Sequence, residues 1–163
     1  MRTIVGVMGG AVASDEVGRD AYEIGRMIAE QGWVLLNGGR DAGVMAASAR
    51  GAAEAGGLVV GILPYDDTHG VAPHVDIAIP TGMGDARNAI NVLASHVVIA
   101  MPGGAGTISE IALALKSGKT VVNCCVPLGP VFDPYYARGQ LLDALTPAEA
   151  IAAVRRSLPK DRL

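Results

Sequence analysis

Two charged side chains stand where glycine-rich turns could bring them together: Arg87, just after Thr81-Gly-Met-Gly84, and Glu110, in Pro102-Gly-Gly-Ala-Gly-Thr-Ile-Ser-Glu110. The second segment is the most informative. An apolar run, His96–Met101, stops at Pro102, and three glycines follow within four residues before a helical pattern begins. A strand that ends in a glycine turn opening a helix presents free backbone N–H groups, and the helix dipole adds positive potential there. Thr107 supplies a hydroxyl and Glu110 a carboxylate one turn on. The chemistry implied is a phosphate cradle with an acid beside it. The same residues also fit a capping box, with Thr107 capping the helix and Glu110 reaching back to it. The glycines alone could serve a tight turn.

Three more glycine turns follow apolar runs. Gly9 and Gly10 come after the first; Gly38, Gly39 and Arg40 after the second; Thr81, Gly82 and Gly84 after the fourth. With Pro102, Gly103, Gly104, Ala105, Gly106 and Thr107, they are the candidate ligand-binding set. Arg87 and Glu110 belong to both the binding and the catalytic set. A cation near a helix start is unfavourable unless an anion faces it, so Arg87 is expected to meet a ligand phosphate or Glu110. Asp41 is expected to cap the helix that follows Arg40. Asn88 and Asn91 are weaker candidates for the cleft.

The elements that must position these residues alternate. Strands are expected at Thr3–Met8, Trp33–Leu36, Leu58–Leu63, Val75–Ile79, Val97–Met101 and Thr120–Val126. Helices are expected from Ser14, an N-cap, to Gln31, at 43–55, at 85–95, from the glycine turn to Ser117, and from Thr146-Pro-Ala-Glu149 onward. Val17, Ala21, Ile24 and Ile28 recur at helical spacing. Residues 66–74 and 127–139 read as irregular. Alternation of this kind gives an α/β fold with a mostly parallel sheet and helices on both faces. Ligands then sit at the carboxyl ends of the strands, so all four turns fall on one edge.

Composition bounds the remainder. The 163 residues, half of them hydrophobic, read as one domain, 1–163. Net charge is −3 with no basic run, which argues against nucleic acid as partner. No apolar stretch approaches the ~20 residues of a membrane span. Ile4–Met8 is too short for a secretion signal of ~7–15 apolar residues and reads as a first strand. Cys124 and Cys125 read as buried, reduced residues on opposite faces of a strand, consistent with a cytoplasmic protein. Gly118-Lys119-Thr120 resembles the end of a phosphate-binding loop. However, Leu113 occupies the place of its first glycine, so the segment reads as a helix cap before a strand. His69, His74 and His96 lack metal-ligand spacing, and no metal site is expected.

The segment Pro102–Glu110 resembles the PGGxGTxxE signature of the Lonely Guy, or lysine decarboxylase-like, proteins, and Gly38-Gly39 with Gly43-Val-Met45 resembles their GGxxGLM segment. The resemblance spans about residues 3–125. It implies a single Rossmann-like three-layer domain. It also implies enzymes that split nucleoside monophosphates into base and ribose 5-phosphate, with Glu110 and Arg87 in the catalytic places. The enzymes usually carry Arg-Lys where this chain has Arg87-Asn88. Residues 6–9, 37–40, 75–82, 86–87 with 90–91, and 110–116 are more similar to the molybdenum cofactor carrier branch, whose pterin ligand ends in a phosphate. The intact Pro-Gly-Gly turn is more like the enzymes.

The resemblance therefore implies first a cytoplasmic carrier of the molybdenum cofactor, or molybdopterin, without a catalytic metal. The alternative is a phosphoribohydrolase in which Gly103–Thr107 hold the 5′-phosphate, Glu110 acts at the oxocarbenium-like centre and Arg87 orients it. Either way the partner is a phosphorylated small molecule. A homo-oligomer, dimer or tetramer, is expected through Leu113, Ala114 and Lys116 or through Ile90–Leu93.

Overall fold

The computed structural model describes residues 1–159; the last four residues of the expected 1–163 domain lie outside that range. The chain runs β1 (Ile4–Met8), α1 (Asp15–Glu30), β2 (Val34–Asn37), α2 (Gly43–Glu54), β3 (Val59–Leu63), β4 (Ile77–Pro80), α3 (Asn88–Ala94), β5 (Val97–Ala100), α4 (Ala105–Lys116), β6 (Thr120–Asn123), α5 (Asp133–Ala137), β7 (Leu141–Asp143) and α6 (Pro147–Ser157). Short 3₁₀ turns precede α3 (Gly84–Arg87) and α5 (Pro130–Phe132). One sheet holds all seven strands in the order β4-β3-β2-β1-β5-β6-β7, and every pairing is parallel. The Rossmann-like α/β expectation therefore holds.

The chain walks outward from β1 through β4, crosses back, and continues from β5 to β7. The crossing makes β1/β5 the point where strand order reverses, the usual ligand crevice of such sheets. Period-two alternation divides the core. Val5 and Val7 face one side with Leu35, Ile99, α1, α2 and α6. Met8, Leu36, Val98 and Ala100 face the other with Ile111, Ala114 and Leu115 of α4 and Val92 of α3.

Ser14 caps α1, accepting a hydrogen bond from Val17 N at 3.3 Å. Thr146 caps α6 through Glu149 N. The Glu149 carboxylate reaches one residue further back than a regular capping box, to Leu145 N. The expected helix 85–95 starts as 3₁₀ and becomes α only at Asn88. Asp41 does not cap α2. The helix starts one residue later, after Ala42, which offers no side-chain cap, so the carboxylate comes a position too early.

The strand expected to reach Val126 stops at Asn123. There the Asn123 side chain accepts from Val126 N (2.9 Å) and donates to Val126 O (3.2 Å), folding the chain into a turn. Cys125 consequently sits at φ 62° and is exposed; only Cys124 is buried, and both are free thiols. Lys119, from the segment that mimics a phosphate loop, donates to the carbonyls of Leu93 and Ser95 at the far end of the sheet. The segment 127–139 read as irregular holds α5, and the short strand β7 beyond it closes one edge of the sheet.

Helices α1 and α2 cross at two glycines. A Cβ on Gly25 would lie 2.0 Å from Ser48 O, and one on Gly51 would lie 2.0 Å from Tyr22 O. Backbone cannot yield there as a side-chain tip would. Gly25→Ala should therefore cost ~1–3 kcal/mol of stability despite its better helix propensity. Gly18, in the same helix, has nothing within 4 Å. Gly18→Ala should stabilise by ~0.5–1 kcal/mol. Urea unfolding of the two variants checks this: equal shifts would show that the crossing does not demand glycine.

Candidate functional site

At the carboxyl edge of the sheet, the turns after β1 and β5 touch through bare backbone. Gly10 N donates to Pro102 O at 3.0 Å. A Cβ on Gly10 would lie 3.1 Å from Gly103 Cα, and one on Gly103 would lie 2.2 Å from Thr107 Oγ1 and 2.7 Å from Gly10 N. A side chain is excluded at Gly103 and would be tight at Gly10, so the two turns meet backbone to backbone. Helix α4 opens on it after Gly104, and no side chain caps its N-terminus. The start of α2 docks against the same turn through Val44 N, which donates to Gly10 O at 3.0 Å.

Glu110 does not reach back to cap α4. Thr107 is the third residue of the helix and is buried, so the capping-box reading of Thr107–Glu110 fails. Glu110 turns toward α3 instead, where Asn91 Nδ2 donates to its Oε1 at 2.8 Å. Arg87 Nη1 stands 3.6 Å from the same oxygen. The Arg87 and Glu110 side chains are only 11% and 8% exposed. Burial raises the Glu110 pKa from its ordinary value; the Asn91 hydrogen bond and the Arg87 charge partly oppose this. Burial lowers the Arg87 pKa, with Glu110 opposing.

Gly38 explains how the guanidinium fits. A Cβ at Gly38 would lie 2.7 Å from Arg87 Nη2 and 3.0 Å from Nη1. Arg87 thus lies against the bare turn after β2, within electrostatic reach of Arg40, Asp85 and Tyr65. Two buried polar atoms of this group have no hydrogen-bond partner: Arg87 Nε and Asn91 Oδ1. An unsatisfied buried donor on a cation is costly unless a ligand meets it. Asn88, by contrast, is satisfied. Its amide donates to Ser109 Oγ at 3.1 Å, and Ser109 donates to Gly106 O at 2.7 Å, in the first turns of α4.

Of the residues singled out in sequence, Gly9, Gly10, Gly38, Arg40, Arg87 and Asn88 line one cleft together with Gly104, Gly106, Thr107 and Glu110. Pro102, Gly103 and Ala105 frame the turn without lining the cleft. Gly39, at φ 70°, packs beneath it against Leu63 and Gly61. Thr81, Gly82 and Gly84 are not in the cleft. They follow β4, the edge strand, and fold down onto β3 and the loop after it: Thr81 Oγ1 donates to Leu63 O at 2.7 Å, and Gly82 N to Tyr65 O at 2.8 Å. Their turn serves by delivering Arg87. Sequence reasoning missed Asp85 and Met45, which also line the cleft. Asp85 lies two residues from Arg87 in the same 3₁₀ turn, which was the available signal.

The profile of the SLOG cluster4 family matches residues 2–151. The chain belongs to that family. This SLOG protein superposes on the molybdenum cofactor binding protein of Rippkaea orientalis with a TM-score of 0.87 and 45% identity, over 96% of this chain and 97% of the other. It superposes on the molybdenum cofactor carrier protein of Chlamydomonas reinhardtii with a TM-score of 0.85 and 40% identity, over 96% and 98%. A cytokinin riboside 5′-monophosphate phosphoribohydrolase of Mycobacterium tuberculosis is 36% identical over 103 residues, 60% of this chain and 54% of its own length. The resemblance read from Pro102–Glu110 thus holds, and the carrier branch shares the fold end to end.

The raised pKa of Glu110 has a thermodynamic consequence. Above the ordinary value of 4.5 and up to its raised value, the folded state holds a proton that the unfolded chain has lost. Stability due to this group is therefore full below that window and is lost as pH rises through it. Wild type should gain stability relative to Glu110→Gln as the pH falls from neutral toward the ordinary value of 4.5. Urea midpoints of both proteins across that range test it, and a difference independent of pH, or one of opposite slope, would refute it.

Proposed function

We propose that this SLOG cluster4 protein binds the molybdenum cofactor by the phosphate of its pterin and carries or stores it without cleaving it. The observation that carries this reading is the state of Asn88. Where the related enzymes place a lysine beside the arginine, this chain has an amide tied to Ser109 over the start of α4. Arg87 and Arg40 are the cations that line the cleft, with no lysine among its lining residues, and the full-length likeness to carriers agrees.

In this reading the cargo phosphate lies on the peptide of Gly10 and Gly103–Thr107 at the α4 N-terminus. Arg87 donates to it through Nε, the atom that otherwise has no partner. Glu110 holds Arg87 in place and is itself held by Asn91. The pterin lies outward, along Arg40 and Asp85. The alternative, a phosphoribohydrolase, is favoured by the intact Pro102–Glu110 signature and by the mycobacterial relative.

The reading also places the protein in the cytoplasm; among the described residues no helix is long and apolar enough to cross a membrane. A second copy of the chain is proposed to cover the exposed Leu93 of α3. Ala114, considered for the same face, is fully buried within the core and takes no part. Sedimentation at micromolar concentration should give a dimer or larger species, and a monomer would contradict that part.

The functional test uses two assays on one preparation. Incubation with AMP and with a cytokinin riboside monophosphate should release no ribose 5-phosphate above a protein-free control. Titration with molybdopterin, with and without molybdenum, should saturate. The dephosphorylated pterin should bind about 30-fold more weakly, as expected for losing about 2 kcal/mol of charge-assisted hydrogen bonds. Turnover abolished by Glu110→Gln would replace the carrier with the enzyme.

A further inference from the structure

Beside the cleft described above lies a second one that the carrier reading does not use. It is lined by Arg40, Asp41, Ala42, Tyr65, His69 and Gly70. Arg40 lines both clefts, and Arg87 lies within electrostatic reach of Tyr65 as well as of Arg40. The two hollows are therefore neighbours along the mouth of the sheet, with Arg40 at their junction.

The wall of the second hollow is aromatic. The rings of Tyr65 and His69 stack with centroids 4.1 Å apart and planes 26° from parallel. Asp67 holds His69 from one edge, accepting from both its backbone N–H and its ring. The His69 side chain is still 64% exposed. An ordered, exposed aromatic stack gains little for the core, since neither ring belongs to either of the two core clusters.

Nor is the stack carried on a loose loop. Asp41 N donates to Gly70 O at 3.0 Å, Ala72 N donates to Gly39 O at 2.9 Å, and Arg40 bridges Val71 in antiparallel sense. These bonds tie the aromatic segment to the turn that carries Arg40. A preorganised flat surface next to a guanidinium suits a ring attached to a phosphate. A base stacks on the aromatic face, and the cation meets the negative charge between base and cleft.

We propose that this hollow is a nucleoside subsite, and that the cargo accepted here includes a form extended through a second phosphate to a nucleoside. The proposal rests on the carrier reading for the pterin half. Arg40 would lie over the diphosphate bridge, with Arg87 and the glycine cradle on its other side, and the base would cover the free face of His69. Two arginines around one anion also account for like charges being placed together at the junction, where they otherwise repel.

Isothermal titration with GDP, CDP and inorganic pyrophosphate tests the subsite without the pterin. The nucleoside diphosphates should bind on the order of tenfold tighter than pyrophosphate, the gain of about one base–aromatic stack. His69→Ala and Tyr65→Ala should erase that advantage while leaving pyrophosphate affinity within about twofold. Tyr65→Phe, which keeps the ring, should retain it. Arg40→Ala should weaken all three ligands. Equal binding of GDP, CDP and pyrophosphate, or an advantage that survives both alanine variants, would overturn the subsite. Molybdopterin is titrated in parallel: failure of molybdopterin with success of GDP would sink the carrier reading, and the extended cargo with it, while leaving the nucleoside subsite; the reverse would sink the subsite alone.

Discussion

Arg87 lies between the bare Cα of Gly38 and the carboxylate of Glu110, and the site is organised around that placement. At 3.6 Å and an effective dielectric of ~20, the pair attracts by roughly 4–5 kcal/mol. Burying both charges costs several kcal/mol each, so the pair does not stabilise the fold on its own. What it secures is direction. Asn91 fixes the carboxylate, the carboxylate fixes one end of the guanidinium, and Gly38 leaves room for its flat face. Nε is left with a proton to give and nothing within the protein to take it.

The sheet order explains why these pieces converge. β1 and β5 are neighbours only because the chain crosses back after β4, and that crossing puts Gly10 against Gly103. The crossover segment is also the one that carries Arg87 and Asn91 inward from the edge strand. A single topological event therefore assembles both the backbone cradle and the charged pair. Residues 103–106, at the start of α4, are exposed on this edge.

Much of this was legible in the residues. Alternating apolar runs and helical spacing gave six of the seven strands, and the glycine turns marked the right edge of the sheet. β7 escaped because three residues carry no periodicity, and its pairing with β6 is a tertiary fact. The turn Thr81–Gly84 looked like the others but follows an edge strand, and strand order cannot be read from local pattern. Thr107 and Glu110 fit a capping box by spacing, yet Asn91 and Arg87, brought from 19 and 23 positions away, compete better for the carboxylate. Cys125 was misjudged for a related reason: Asn123 uses its own side chain to end the strand early. In each case a long-range partner or a side-chain-made turn overrode a sound local rule.

The central claim is that the cradle and Arg87 together form one anion site. A crystal structure of the protein with molybdopterin tests it most directly. The account predicts the terminal phosphate on the peptide N–H groups of residues 103–107, with Arg87 Nε donating to one of its oxygens and the Arg87–Glu110 contact retained. A phosphate bound elsewhere, with the turn at 103–106 blocked and Arg87 Nε still without a partner, would contradict it.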